Sequence, residues 1–510
     1  MNLAHTLSQT AARYPDAPAL TYGDRTVSWG RLESRSDALG HALRAAGVRP
    51  GDRVALLMRN RPELLETMYA AFKAGAAVVP LNAKLPAAEV AYHLADSGAA
   101  VLVTDRTEGV DDLGVPLVVT GSGYEELLAA HTGTPARTED VDADAPAWLF
   151  YTSGTTGRPK GAVLTHGGLA FVVASWLADL TPLDHRDVTL HAAPLSHGAG
   201  FHALAATARG AHQVIPTGER FDPETVLRLM REHQVTNTWL VPTQITLLTD
   251  HIDGADPALP ALRRVVYGGA PFPQTELAAA LRTFGPVLVQ LYGQGESPMT
   301  ITWLPAEEHP DPDDGEAALP HCAGHPRPGM AVRIVDPDTG AVLPPNEVGE
   351  VVTSGPALMA GYWRRPEESA RALRGGWLHT GDLGRIDERG RLFLLDRAKD
   401  LIITGGSNVY AIEVEGALLE HPGIVDAAVI GLPDRTWGEI VTAVVVPSGT
   451  RPSPDELQAH CRDRLAPYKS PRRIEFVDTI PRNTYGKTDK RALRERFAPS
   501  GTDTRDKAGS

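Results

Sequence analysis

The sequence predicts an α/β protein: a large multi-subdomain N-terminal α/β body followed by a small mobile α+β C-terminal domain. Three observations lead there. The chain has 510 residues, 42% of them hydrophobic, which is more than one core usually organises. Apolar strand-like runs alternate with amphipathic stretches from Arg53 to Thr104, the pattern of a largely parallel sheet. A composition change at Asp396-Arg397-Ala398-Lys399-Asp400 then separates this body from a stretch of short strand candidates.

Each element follows from its residues. Arg53 to Met58 reads as a buried strand, and Pro62 opens an amphipathic helix through Phe72, since proline suits the first helical turn. Gly75 ends that helix, and Ala77 to Leu81 resumes as a strand. The unit repeats with a helix around Ala87 to Asp96 and a strand at Ala100 to Thr104. Pro305 to Pro320, rich in Pro, Asp and Glu, reads as an exposed loop. In the last hundred residues, Ala427 to Gly431 and Val441 to Val446 read as strands. Ser453-Pro454-Asp455-Glu456 fits a helix-opening capping box. The polar stretch 499–510 reads as a disordered tail.

Gross properties exclude several classes. The net charge is −14 with no long basic run, which argues against nucleic acid as a general partner. No apolar run is long enough for a membrane span, and the N-terminus has no secretory pattern. Two distant cysteines, Cys322 and Cys461, make neither a disulfide framework nor a CxxC metal site. Cytoplasm is the simplest compartment.

The chemistry is concentrated in Thr152-Ser153-Gly154-Thr155-Thr156-Gly157-Arg158-Pro159-Lys160-Gly161, with three glycines, four hydroxyls and two cations. Such a loop offers backbone N–H groups, hydroxyls and positive charge to a polyphosphate. The spacing is not that of a Walker A loop. A flexible linker is the bland alternative, but apolar segments flank the loop closely, Ala145 to Tyr151 before and Gly161 to His166 after. Both read as strands, which favours the phosphate loop.

Six further segments follow in order: Pro194-Leu195-Ser196-His197-Gly198, Gly268-Gly269-Ala270-Pro271, Tyr292-Gly293-Gln294-Gly295-Glu296, Trp377 to Asp382, Asp396 to Asp400 with Gly405-Gly406-Ser407-Asn408-Val409, and Pro481 to Lys487. Together with the loop they resemble the adenylate-forming (ANL) superfamily of acyl-CoA synthetases, adenylation domains and luciferases, most closely its fatty-acid–CoA ligase-like members. The resemblance covers nearly the whole chain.

It implies an ATP-dependent acid–CoA ligase, with ATP and Mg²⁺ as cofactors and CoA as co-substrate. Thr152, Ser153, Gly154, Thr155, Thr156, Gly157 and Lys160 would hold phosphate, and Gly269, Ala270 and Pro271 would line an adenine face. Tyr292, Gly293, Gly295 and Arg397 would complete the nucleotide site, Asp382 would hold the ribose hydroxyls, and Glu296 would bind the metal. Lys487, Glu296, Thr156 and His197 are the implied catalytic groups. His197, Trp239, Gly268, Gly293 and Met299 are the implied acid pocket, Gly268 and Gly293 leaving it room. Residues 1–396 would form the adenylation domain, 397–399 a hinge at Lys399, and 400–498 the C-terminal domain, Gly405 and Gly406 serving CoA. A homodimer is possible.

Taken singly, several residues have plainer readings. Lys487 alone would be a solvated surface lysine, Asp382 a turn residue, and Tyr292 or Trp239 ordinary core. His197 and His202 lack a third partner for a metal, and the role of His202 stays open. Two positions depart from the family pattern. Gly295 replaces a threonine whose hydroxyl would bond the α-phosphate, and Ala411 replaces a proline. Alternatives therefore remain: carrier-protein loading, ATP-dependent nitrite activation for diazotisation of an aromatic amine, or a non-catalytic nucleotide sensor. The last is disfavoured by the presence of Lys160, Glu296, Asp382, Arg397 and Lys487 together.

Overall fold

A computed structural model describes residues 2–152, 158–312, 319, 321–397, 400–405, 407–482 and 488–498. The chain divides into two units. The larger comprises residues 1–272, 276–380 and 385–393, and the smaller comprises 273–275, 381–384 and 394–510. The strands Leu378–Ile386 and Leu392–Arg397 contribute residues to both.

In the larger unit the β-α-β reading holds element by element. Arg53–Leu57 pairs in parallel with Ala77–Leu81 and with Val101–Thr104. The intervening helices are Pro62–Lys73 and Ala87–Ser97. Gly75 adopts φ +72°, the left-handed geometry that stops the first of these helices. This six-stranded sheet ends in the antiparallel pair Pro146–Thr152 and Lys160–Thr165, the two strands expected on either side of the predicted phosphate loop.

A second sheet carries the rest of the site. His212–Ile215, Val188–Leu190, Asn237–Leu240, Arg264–Gly268 and Leu288–Gln294 run parallel in that spatial order. Ser297–Leu304 then returns antiparallel to Leu288–Gln294, with a register shift between Tyr292 and Gln294. Between the sheets, Trp148, Trp176, Phe201 and Trp239 share one core with Leu291 and Met299. Cys322 is buried in this unit.

The smaller unit is α+β. Ile424–Asp434 and Gly438–Pro447 form a long antiparallel pair, joined by Ile402–Thr404 on one side of Gly438–Pro447 and by Arg473–Phe476 in parallel. Alternation along the central strands gives two cores. Val429, Val441, Ala443 and Val445 pack with Val414, Leu418 and the buried Cys461, whereas Ala428, Ile430 and Val444 pack with Leu493. The helix Pro454–Arg462 opens with the expected capping box, Ser453 and Glu456 bonding reciprocally. Of the sequence expectations, part of the 305–320 loop and the whole 499–510 tail lie outside the described residues. No described helix is long and apolar enough to cross a membrane.

Candidate active site

The larger unit gathers its polar groups around Glu296, which is 8% exposed. Glu296 sits in the turn between the strands Leu288–Gln294 and Ser297–Leu304. Its Oε1 accepts from the Tyr362 hydroxyl at 2.7 Å and from the Thr152 hydroxyl at 3.1 Å. The Glu296 carbonyl also accepts from the Met359 amide at 2.8 Å, so backbone and side chain are tied to the same segment. Lys160 Nζ stands 5.1 Å from the Tyr362 ring centroid, a cation–π distance. A cation, two hydroxyls and one carboxylate thus meet at the end of the loop-bearing hairpin.

That donor set fits Mg²⁺. The ion is usually held by one or two carboxylates together with substrate phosphates, not by an all-protein cage. Glu296 provides one carboxylate whose two recorded bonds both fall on Oε1. Among the described residues no group of three or more His, Cys, Asp or Glu could hold a metal ion alone.

Gly295 has a steric reason. A Cβ there would lie 2.4 Å from Thr152 Cγ2 and 2.6 Å from Phe150 Cδ1. The space a threonine side chain would need is filled by these two residues of the facing strand. Phe150 in turn meets the His197 ring edge-on at 5.6 Å. His197 precedes the helix Gly198–Arg209, and its Nδ1 is 2.9 Å from the Ser196 hydroxyl.

The predicted acid-pocket residues separate into two groups. Beside His197, a Cβ on Gly198 would lie 2.4 Å from Met299 Cε and 2.8 Å from Trp239 Cζ2. His197, Trp239 and Met299 therefore converge. Gly268 and Gly293 were expected to leave room, and here the structure corrects the sequence. A Cβ on Gly268 would strike the Leu291 carbonyl at 2.4 Å, and one on Gly293 the Met299 amide nitrogen at 2.4 Å. Both glycines serve close backbone approach between neighbouring strands.

His202 does not join His197. It is fully buried, stacked on Trp176 with ring centroids 4.5 Å apart and edge-on to His191. Tyr292 is 9% exposed on its strand, while Gly269, with φ +83°, Ala270 and Pro271 form an exposed turn after Arg264–Gly268.

In the smaller unit, Asp382 Oδ1 pairs with Arg397 Nε at 3.0 Å, bringing the predicted ribose residue together with a second predicted nucleotide-site residue. Gly405 has φ +57°, and a Cβ there would meet the Trp437 ring at 2.8 Å. Arg472 covers that half-exposed ring at 3.9 Å. Ala411, at the position of the missing proline, donates its amide to Asp396 Oδ2 at 2.6 Å, a bond proline could not make. Ser153, Gly154, Thr155, Thr156, Gly157, Lys399, Gly406 and Lys487 lie outside the described residues.

Sequence reasoning missed Tyr362 and Phe150, and it included Gly198 within a motif without giving it a role of its own. Their only local signal is an aromatic beside a glycine or in a strand. Their contacts span as many as 202 positions, from Lys160 to Tyr362.

The AMP-binding enzyme family model matches residues 7–363, and the AMP-binding enzyme C-terminal domain model matches 413–487. The chain belongs to the AMP-binding enzyme family. It is an adenylate-forming ligase of the acyl-CoA synthetase type, in which ATP is the nucleotide used. A feruloyl-CoA synthase of Amycolatopsis sp is 40% identical over 492 residues, covering 95% of this chain and 96% of that protein. A fatty acid–[acyl-carrier-protein] ligase of Streptomyces coeruleorubidus is 36% identical, covering 97% and 96%. Among solved structures, the O-succinylbenzoate coenzyme A synthetase of Bacillus subtilis in complex with AMP aligns with TM-score 0.86. It is 32% identical, with 97% of this chain and 98% of that one covered.

Proposed function

We propose that this ligase converts a carboxylic acid and Mg-ATP into an acyl-adenylate and pyrophosphate, then passes the acyl group to CoA. The observation that carries the reading is the Glu296 carboxylate, fixed by the Thr152 and Tyr362 hydroxyls at the end of the loop-bearing hairpin. Attack of a carboxylate on the α-phosphorus is opposed by phosphate charge, so catalysis rests on positioning and electrostatic stabilisation. Glu296 would hold Mg²⁺, which would neutralise phosphate charge. Lys160 and the loop hydroxyls of 152–157 hold the β- and γ-phosphates. Lys487 brings an ammonium to the attacking carboxylate and α-phosphate oxygens. Asp382, with Arg397 beside it, accepts from the ribose hydroxyls.

The domain roles follow the same reading: residues 1–396 bind ATP and acid, 397–399 form the hinge, and 400–498 carry Lys487. Rotation about Lys399 would exchange Lys487 for the Gly405-Gly406 loop between the two half-reactions. The acid is an aromatic or medium-length monocarboxylate, supported by the His197, Phe150, Trp239 and Met299 side chains around Gly198 and by the feruloyl-CoA relative.

Pyrophosphate release and product masses over a panel of acids, with CoA, carrier protein, or nitrite plus arylamine as second reactants, test the reading. A thioester with free CoA is expected, and Lys487→Ala should slow adenylation by about 10²–10³-fold. ATP turnover with no thioester from any acid would overturn the CoA step. Carrier-protein or diazo products would replace it.

A further inference from the structure

Arg327 is a large cation that is only 1% exposed inside the larger unit. Its Nε and one terminal nitrogen donate to the two oxygens of Asp179 at 3.0 and 2.5 Å. The other terminal nitrogen donates to the Met299 carbonyl at 2.5 Å. Asp179 belongs to a five-residue π-helical turn, Trp176–Leu180. Burying an ion pair of this kind seldom stabilises a fold more than apolar packing would. The third arm of the guanidinium, the bond to Met299, suggests what the pair is for.

Met299 has φ +60°, a left-handed conformation sparsely populated by residues with a side chain. Its amide nitrogen packs where Gly293 would carry a Cβ, and its carbonyl is held by Arg327. The backbone is pinned from both sides. The side chain then reaches Gly198, where Met299 Cε and the Trp239 ring fill the space next to His197.

We propose that Arg327 is a positioning residue for acid selection: by holding the Met299 carbonyl it fixes the positive-φ backbone that aims Met299 at the pocket end. The ligand class it governs is the distal part of the acid. The side-chain bonds of Arg327 go to Asp179 and to the Met299 carbonyl, so it acts through Met299. The inference rests on the acid-activating reading above.

The test uses the full chain and pyrophosphate release over acids of graded length. Arg327→Gln should change the ratio of kcat/KM between the longest and shortest accepted acids by about tenfold, the scale of a methylene-sized change in an apolar pocket. The KM for ATP should stay as in the wild type. Met299→Gly should shift the ratio in its own right, and adding Arg327→Gln to it should change the ratio no further, because glycine takes φ +60° unaided. Asp179→Asn/Arg327→Gln removes both buried charges and should reproduce the single-variant profile if Arg327→Gln alone folds poorly. An equal fall for every acid with a shifted ATP KM would make Arg327 structural and overturn the proposal. So would additive effects with Met299→Gly, or failure of both Arg327 variants to fold. Wild-type protein that releases no pyrophosphate with any acid would instead overturn the site reading, and this proposal with it.

Discussion

Tyr362 donates its phenolic hydrogen to Glu296 Oε1 at 2.7 Å, across 66 positions of chain. The bond gives a single carboxylate a fixed direction, where a lone glutamate in a turn would have rotamer freedom. Hydrogen bonds to charged groups contribute about 1.5–3 kcal/mol. Tyr362→Phe should therefore lower kcat/KM for pyrophosphate release by about tenfold or more. The loss should shrink as Mg²⁺ is raised, if Glu296 binds the metal. Titration of rate against Mg²⁺ for both proteins checks this.

Gly295 predicts a failed reversion. Restoring the family's threonine would drive its Cβ into Thr152 and Phe150, so Gly295→Thr should destabilise the larger unit by about 1–3 kcal/mol. Gly295→Ala should cost less when combined with Thr152→Ser, which removes the nearest methyl, Thr152 Cγ2. A double-mutant cycle on urea midpoints measures that coupling.

The buried histidines predict acid sensitivity. Burial pushes His191 down to about 4 and His202 well below its ordinary value. In the unfolded chain both would titrate near 6.5. Between about pH 6.5 and 4 the unfolded state therefore binds more protons, and stability falls as pH falls. Each histidine contributes about 1.4 kcal/mol per pH unit in that window. His202→Phe keeps a ring on Trp176 and removes one titrating group. Its urea midpoint should fall less steeply between about pH 7 and pH 5 than that of the wild type.

Lys490 anchors the smaller unit. Burial opposes its charge, yet Glu415 and Asp396 outweigh burial and raise its pKa. Nζ lies 2.8 Å from Glu415 Oε1, which also accepts from the Val429 amide. Lys490→Met would leave both carboxylates short of their cation and should cost about 1.5–3 kcal/mol. Thermal unfolding of the full chain should show the loss in the transition of the smaller unit.

What the sequence made legible was local. Proline at the start of Pro62–Lys73, Gly75 at its end and the Ser453–Glu456 box are signals contained within a few residues. The structure places all three as expected. The motifs likewise marked Glu296, Asp382 and Arg397 from their neighbours in the chain. What stayed hidden depended on distance in sequence. The hydroxyls on Glu296 come from positions 144 before and 66 after it, and the Arg327 bond to Asp179 spans 148. Gly268 and Gly293 were misread for the same reason: a glycine looks alike whether it opens a cavity or admits a neighbouring strand.

The two cysteines acquire a use from their placement. Cys322 lies within the larger unit and Cys461 within the smaller, both buried, and the chain has no others. Each unit thus carries one native thiol that stays shielded while that unit remains closed. Alkylation followed by mass mapping would time the opening of each half separately, with no engineered cysteine.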